Sequence, residues 1–338
     1  MSLQKVSPWR RLLAAGLLAT LTIATFGWDT ADAKSQRNAR RDTHRAATHK
    51  RPRAIHGPNY SPPYAAIVVD DNSGQVLHAE NADAPRHPAS LTKIMTLYLL
   101  FEQLEAGRLR LDSELPISAT AAQQPPTKLS LRTGKTLTVE DAIKGLVTKS
   151  ANDAAVVVGE AIAGSEADFA RLMTQKARAL GMISTTYINA SGLPADEQIT
   201  TARDQALLGR AIQIRFPSYY RYFSTPSFRF RGIEMRNHNA LLGQVEGVDG
   251  IKTGYTEASG YNLVASVRRA DRHIIAVVLG GKSNAKRDAR MRQLIEQFIP
   301  VATTQKTAPT IVETAGRNAA YIDTMWPTSL FGPLNIHP

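Results

Sequence analysis

Pro88-Ala89-Ser90-Leu91-Thr92-Lys93-Ile94-Met95-Thr96 is an S-x-x-K motif at the start of an apolar helical run. Leu91, Ile94, Met95, Tyr98, Leu99 and Phe101 predict a largely buried helix. Ser90 and Lys93 are three residues apart, so on a helix they share one face, about 5–6 Å apart at Cβ. A hydroxyl is a poor nucleophile at neutral pH and needs an adjacent base. A lysine can be that base if burial or nearby positive charge lowers its pKa. The helix N-terminus also favours negative charge developing at Ser90. The plainer reading is a helix cap with a solvated lysine. Ser2–Lys5 and Ser283–Lys286 match the same pattern without opening a comparable apolar helix.

The flanking segments set the fold class. Upstream, Ala65-Ala66-Ile67-Val68-Val69-Asp70 and Gln75-Val76-Leu77-His78 flank the turn Asp71-Asn72-Ser73-Gly74, which predicts a hairpin. From Ala89 to about Phe216 the pattern is mainly helical, with further helices over Ala154–Ala163 and Ala167–Leu180. Phe228–Glu234 and Val248–Lys252 read as strands. Tyr261–Arg268 and Arg272–Leu279 read as a second hairpin around Ala270-Asp271, and a helix follows over Arg287–Ile299. Strands, helices, then strands and a helix predict a mixed α/β (α+β) domain over 64–299. In it an antiparallel sheet is built from both ends, with a helical subdomain inserted.

Composition narrows the function classes. The 338 residues are 43% hydrophobic and 21% charged, which excludes global disorder and a multi-span membrane protein. There is no cysteine, hence no disulfide framework, cysteine zinc site or thiol nucleophile. The net charge is +12, but residues 34–57 hold eight Lys and Arg against one Asp. The excess therefore sits mainly in one short segment, and no nucleic-acid-binding core is expected.

Lys5, Arg10 and Arg11, the apolar Leu12–Trp28 stretch and Ala31-Asp32-Ala33 read as an export signal over 1–33, cleaved after Ala33. A periplasmic or otherwise exported location follows; an uncleaved anchor and twin-arginine export are the minor readings. Residues 34–63 read as a disordered basic linker, a tether or a contact with anionic envelope polymers or membrane. Residues 300–338 hold Pro309, Pro327 and Pro333 without a long amphipathic stripe, and are expected to be a tail.

Two more motifs accompany the first. Ser150-Ala151-Asn152 is S-x-N and precedes a helix; alone, its residues read as N-caps. Lys252-Thr253-Gly254 is K-T-G at the end of a predicted strand; alone, it reads as a strand-end turn. All three in this order form the signature of penicillin-binding proteins and class A β-lactamases. Ser150–Ala154, Val248–Tyr255, Gly260–Ser266, Asn189–Pro194 and Thr201–Asp204 add to the match. The chain resembles the D-alanyl-D-alanine carboxypeptidases, the low-molecular-mass penicillin-binding proteins, over about Tyr64 to Ile299.

The resemblance implies a β-lactamase/transpeptidase-like fold, with a five-stranded antiparallel sheet flanked by helices and a site between sheet and helical subdomain. It implies Ser90 as nucleophile and Lys93 as base, with Ser150 and Lys252 relaying a proton and Asn152 holding the substrate amide. Thr253 and Arg287 bind the terminal carboxylate, Gly254 lies in the binding strand, and backbone N–H groups of Ser90 and Tyr255 form the oxyanion hole. The implied partners are peptidoglycan stem peptides, with β-lactams as inhibitors. Many family members carry a second all-β domain and a terminal amphipathic helix; the residues after Ile299 are too few for that domain.

Three alternatives are weighed. A DD-endopeptidase shares the short form. A class A-like β-lactamase needs a Glu-x-x-x-Asn loop, but Glu160, Glu166 and Glu197 are followed four residues later by Gly164, Ala170 and Thr201. Its middle motif also has Asp where this chain has Ala151. A non-catalytic envelope-binding protein predicts degenerate motifs, and none is degenerate. No cofactor is expected and no metal: His44, His49 and His56 lie in the linker, and no His-Glu-x-x-His occurs.

Overall fold

The computed structural model describes residues 61–314. The segments expected as an export signal (1–33), as most of a linker (34–60) and as the end of a tail (315–338) lie outside the described residues. The first hairpin forms where the β-branched run and its turn place it, as β1 (Ala65–Asp70) and β2 (Val76–Glu80). Every residue of β1 is buried, as befits a strand covered on both faces.

One 3₁₀ turn over Ala89–Leu91 leads into α1 (Thr92–Glu105), buried on all sides from Thr92 to Phe101. A helix apolar all round belongs inside the molecule. The short strands β3 (Glu114–Pro116) and β4 (Thr136–Thr138) pair with each other. Helices α2 (Val139–Val147), α3 (Asn152–Ala163), α4 (Glu166–Ala179) and α5 (Ala202–Arg215) follow. Thr138, Ser165 and Thr201 cap α2, α4 and α5, each side chain accepting an N–H three residues on.

The segment expected as one strand over Phe228–Glu234 is instead a hairpin, β5 (Ser227–Phe230) and β6 (Ile233–Arg236). Arg231 and Gly232 both take positive φ between them, the requirement of a two-residue turn. Three long strands complete the chain's sheet: β7 (Val248–Thr256), β8 (Gly260–Arg269) and β9 (Arg272–Gly281). The predicted turn at Ala270-Asp271 joins β8 to β9, again with both residues left-handed. α6 (Asn284–Phe298) closes, starting three residues earlier than expected because Ser283 caps it.

The sheet order is β2-β1-β9-β8-β7, all antiparallel, with β7 at one edge. Alternation splits its side chains into two cores. Ala66, Val68, Ala265, Ile274 and Ala276 pack with Met291, Leu294 and Ile295 of α6. Ile67, Val264, Ile275 and Val277 join the core of the helical region. Among the described residues no helix is long and apolar enough to cross a membrane.

The chain after α6 returns across the fold. Asn72 donates to the Thr303 carbonyl and accepts from the N–H groups of Thr307 and Ala308. Glu313 then accepts from the Tyr98 hydroxyl at 2.6 Å and from Lys176, which also pairs with Glu102.

Candidate active site

The 3₁₀ turn before α1 puts Ser90 at the mouth of a cleft and Lys93 beneath it. Ala89 holds a φ of 48° there, and Asn262 pins the turn from the sheet. Asn262 sits where the β8–β9 register shifts. Its Nδ2 donates to the carbonyls of His87 and Pro88, and its Oδ1 accepts from the Gly280 N–H.

Lys93 Nζ is fully buried and donates to Ser90 Oγ at 3.0 Å, to Asn152 Oδ1 at 2.8 Å and to the Ser191 carbonyl. Burial first, and then the charge of Lys252, hold its pKa well below the ordinary lysine value. Two neutral oxygens and a hydroxyl face the amine, without a carboxylate in contact. The hydroxyl–lysine pair is therefore equipped for proton transfer.

Asn152 opens α3, but its side chain does not cap that helix. Its Oδ1 accepts from Lys93 and its Nδ2 donates to the Pro125 carbonyl, so the N-cap reading fails. Ser150 lies just before it with φ 59°, and its buried Oγ has no hydrogen-bond partner. The neighbouring Asp153 accepts the N–H groups of Leu129 and Leu131, fixing the loop whose Pro126 and Thr127 form another wall.

Lys252-Thr253-Gly254 lies in the middle of β7 rather than at a strand end, because β7 continues to Thr256. Lys252 is buried and donates to the Thr253 carbonyl at 3.0 Å; no hydrogen bond joins it to Ser150. Burial, then the Arg287 guanidinium, push its pKa down to about 7. Gly254 lets the strand close on the turn that carries Ser90, since a Cβ there would lie 3.0 Å from Ser90 N. Tyr255 is half exposed and stacks on Tyr261 at 4.3 Å.

A cavity of about 530 Å³ brings Ser90, Ser150, Asn152, Thr253, Gly254, Tyr255 and Arg287 together. Lys93 and Lys252 lie behind its wall. Arg287 is buried and paired with Asp288 at 2.7 Å, so it does not face the cleft as a free charge. Sequence reading missed Asp288 and gave Asn262 no role. It also missed His238, which lines the cavity. Enclosure, then the charges of Lys252, Lys149, Lys93 and Arg287, push this imidazole down to about 4.

Ser283–Lys286, the rival S-x-x-K, is an ordinary cap with an exposed lysine. A Ser-His-Asp order also exists in Ser266, His273 and Asp71, at 3.0 and 2.7 Å. Ser266 and His273 are buried, and none of the three lines the cleft.

Residues 57–283 match the peptidase S11 family, described as D-alanyl-D-alanine carboxypeptidase. The chain belongs to the D-alanyl-D-alanine carboxypeptidase family. It is 39% identical over 236 residues to the D-alanyl-D-alanine carboxypeptidase DacA of Escherichia coli K12. That match covers 68% of this chain and 59% of the relative's length. Penicillin-binding protein 5 of Haemophilus influenzae superposes with a TM-score of 0.68 at 32% identity, covering 72% of each chain. Penicillin-binding protein D2 of Listeria monocytogenes, solved in its ampicillin-bound form, gives 0.63 at 32% identity. That superposition covers 69% of this chain and 95% of the other. The carboxypeptidase family resemblance and the transpeptidase-like fold expected from three short motifs thus hold for the chain.

Proposed function

We propose that the chain is a serine D-Ala-D-Ala carboxypeptidase acting on peptidoglycan stem pentapeptides and acylated by β-lactams. The observation that carries this is the 3.0 Å contact between Ser90 Oγ and a fully buried Lys93 amine. Lys93 takes the hydroxyl proton as Ser90 Oγ attacks the carbonyl of the penultimate D-alanine. The oxyanion forms against the backbone N–H groups of Ser90 and Tyr255. Asn152, held by Lys93 and Pro125, presents its amide to the substrate backbone. The peptide C–N bond breaks, D-alanine leaves with a proton relayed through Ser150 and Lys252, and an ester to Ser90 remains. Water attacks that ester, giving the shortened peptide and free Ser90.

Thr253 and Arg287 meet the terminal carboxylate, and Gly254 lets β7 lie close enough for this. The partnerless Ser150 Oγ fits a hydroxyl that finds its partner only in the substrate complex. We place the reaction outside the cytoplasm, with residues 1–33 as the export signal.

The test pairs covalent labelling with product analysis. Labelled penicillin should modify the wild-type protein and not Ser90→Ala, and D-alanine should appear from a defined pentapeptide. An adduct on another residue, or equal turnover of free-acid and C-terminally amidated peptides, rejects the assignment.

A further inference from the structure

The cleft has a second end that the reaction above leaves unused. Tyr255 and Tyr261 are opposite each other in the β7–β8 register, so their side chains share one face of the sheet. The rings stack at 4.3 Å between centroids, and both residues line the cavity. Tyr255 is 53% exposed, an aromatic face open at the cleft mouth. Just beyond it β7 ends at Thr256 and the chain turns through Glu257. That turn is braced: the Thr256 N–H donates to Ser259 Oγ at 2.9 Å and the Ser259 N–H to Thr256 Oγ1 at 3.0 Å. Glu257 is exposed, and its carboxylate makes no hydrogen bond or ion pair among the described residues. Its charge still reaches the platform: partial enclosure, then Tyr261 and Glu257, raise the Tyr255 phenol above its ordinary pKa.

The direction of the substrate follows from the roles proposed above, on which this inference rests. The terminal carboxylate lies at Thr253 and the scissile carbonyl at the Tyr255 N–H, two residues further along β7. A peptide extended beside the strand advances about 3.3 Å per residue. The residue before the two D-alanines therefore passes Tyr255 and Glu257, away from Lys252 and Arg287. An aromatic face beside an unpaired carboxylate suits an aliphatic chain ending in a cation, because the ring covers the methylenes and attracts the charge. We propose that Tyr255, Tyr261 and Glu257 form a subsite for the third stem residue, recognising an aliphatic side chain that ends in an ammonium group. A lysine and a diamino dicarboxylic acid both supply that group.

The first test arm uses penicillins, whose acylamido side chain precedes the reacting carbonyl as the third stem residue precedes the scissile one. Three are compared on the full chain, with an ammonium, a neutral group and a carboxylate on that side chain. Wild type should be acylated fastest by the first and slowest by the last. Glu257→Gln should cut the ammonium preference roughly two- to fivefold at low salt, and high salt should shrink it in wild type. Glu257→Lys should invert the order, with the neutral penicillin unchanged in both variants. Tyr261→Leu should also reduce the ammonium preference; the Glu257 variants, on an exposed turn, keep the test clear of any folding loss there.

The second arm titrates Ser90→Ala protein with pentapeptides carrying lysine, acetyl-lysine or the diamino dicarboxylic acid at the third position. Acetylation should weaken binding roughly two- to fivefold, and the tighter of the two charged peptides names the stem chemistry. Equal acylation by the three penicillins, or equal binding of the lysine and acetyl-lysine peptides, overturns the proposal. A wild type that releases no D-alanine would instead sink the carboxypeptidase reading, and the binding arm would still report on the subsite.

Discussion

Replacing Gly192 by alanine should disable the proposed nucleophile, Ser90, without touching its side chain. Gly192 takes φ +87°, a region that costs an alanine about 1–2 kcal/mol. The larger effect is steric. A Cβ on Gly192 would lie 1.9 Å from the Ala89 carbonyl oxygen, 2.3 Å from its carbon and 2.9 Å from Ser90 N. All three are backbone atoms, so no side-chain rotation relieves the clash. Either the Ala89–Ser90 turn or the Ser191–Gly192 turn must retreat by about 1 Å to restore ordinary contact. Each retreat spoils the same pair. The first moves Ser90, and the second moves the Ser191 carbonyl that holds Lys93 Nζ. A misplacement of about 1 Å at a reacting group can cost about a hundredfold in rate. The assay is the second-order rate of acylation by labelled penicillin, read beside the thermal midpoint. Gly107→Ala is the control: its φ is +68°, and nothing lies within 4 Å of the added Cβ. It should lose about 1–2 kcal/mol of stability from its left-handed backbone alone and keep its acylation rate. Acylation of Gly192→Ala at the wild-type rate would refute this account of how the turn is held.

Two further outcomes are expected. Lys93 lies well below its ordinary pKa through burial and Lys252, and Lys252 sits at about 7 through burial and Arg287. Between about pH 7 and 10 the unfolded chain therefore holds protons that these lysines have shed, so stability should rise with pH across that window. Urea midpoints at pH 7 and 9 should show the rise, and Lys252→Met should flatten it; an unchanged slope in that variant would deny the shift. Glu313→Ala should leave the Tyr98 hydroxyl unpartnered and Lys176 with Glu102 alone, lowering unfolding free energy by about 1–3 kcal/mol with acylation intact. A loss under 0.5 kcal/mol in urea unfolding would mean that the returning segment contributes little.

The parts legible in the sequence are those where spacing is itself a ruler. Three residues on a helix fix Ser90 against Lys93, and strict alternation in β8 and β9 fixes which side chains meet α6. The turn at Ala270-Asp271 was readable because two long β-branched runs flank it. The parts not legible depend on backbone atoms or on neighbours in space. The Ser191 carbonyl that receives Lys93 carries no side-chain signature, since any residue has a carbonyl. Asp288 looks like one more charge on a polar helix, yet it decides how much of Arg287 the cleft sees. Arg231 reads as strand until its left-handed φ splits Phe228–Glu234 into a hairpin. Asn262 reads as a polar residue in a strand, and only the register shift shows it turned toward Pro88.

Positive φ at residues other than glycine costs of order 1–3 kcal/mol and persists only where surrounding contacts over-determine it. Among the described residues, Arg231, Ala270 and Asp271 spend it in hairpin turns, and Asn81 is a residue type that tolerates it. Ala89, Ser130 and Ser150 remain: Ser150 lines the cleft, Ala89 precedes Ser90, and Ser130 lies three residues beyond Thr127 of the cleft wall. Ala89 precedes Ser90, and Asn262 holds its turn from the sheet through the His87 and Pro88 carbonyls. Ser130 lies between Leu129 and Leu131, whose N–H groups are both captured by the buried Asp153. Ser150 precedes Asn152, whose N–H is bonded to the Thr127 carbonyl while Thr127 Oγ1 donates back to the Ser150 carbonyl. Each strained residue is thus clamped by a buried polar side chain or a reciprocal backbone bond from another segment. Through these clamps Asn262, Asp153 and Thr127 fix the loops that build the cleft. They hold three loops from three parts of the chain in conformations those loops would abandon alone, and only in those conformations do Ser90, Lys93 and Asn152 meet.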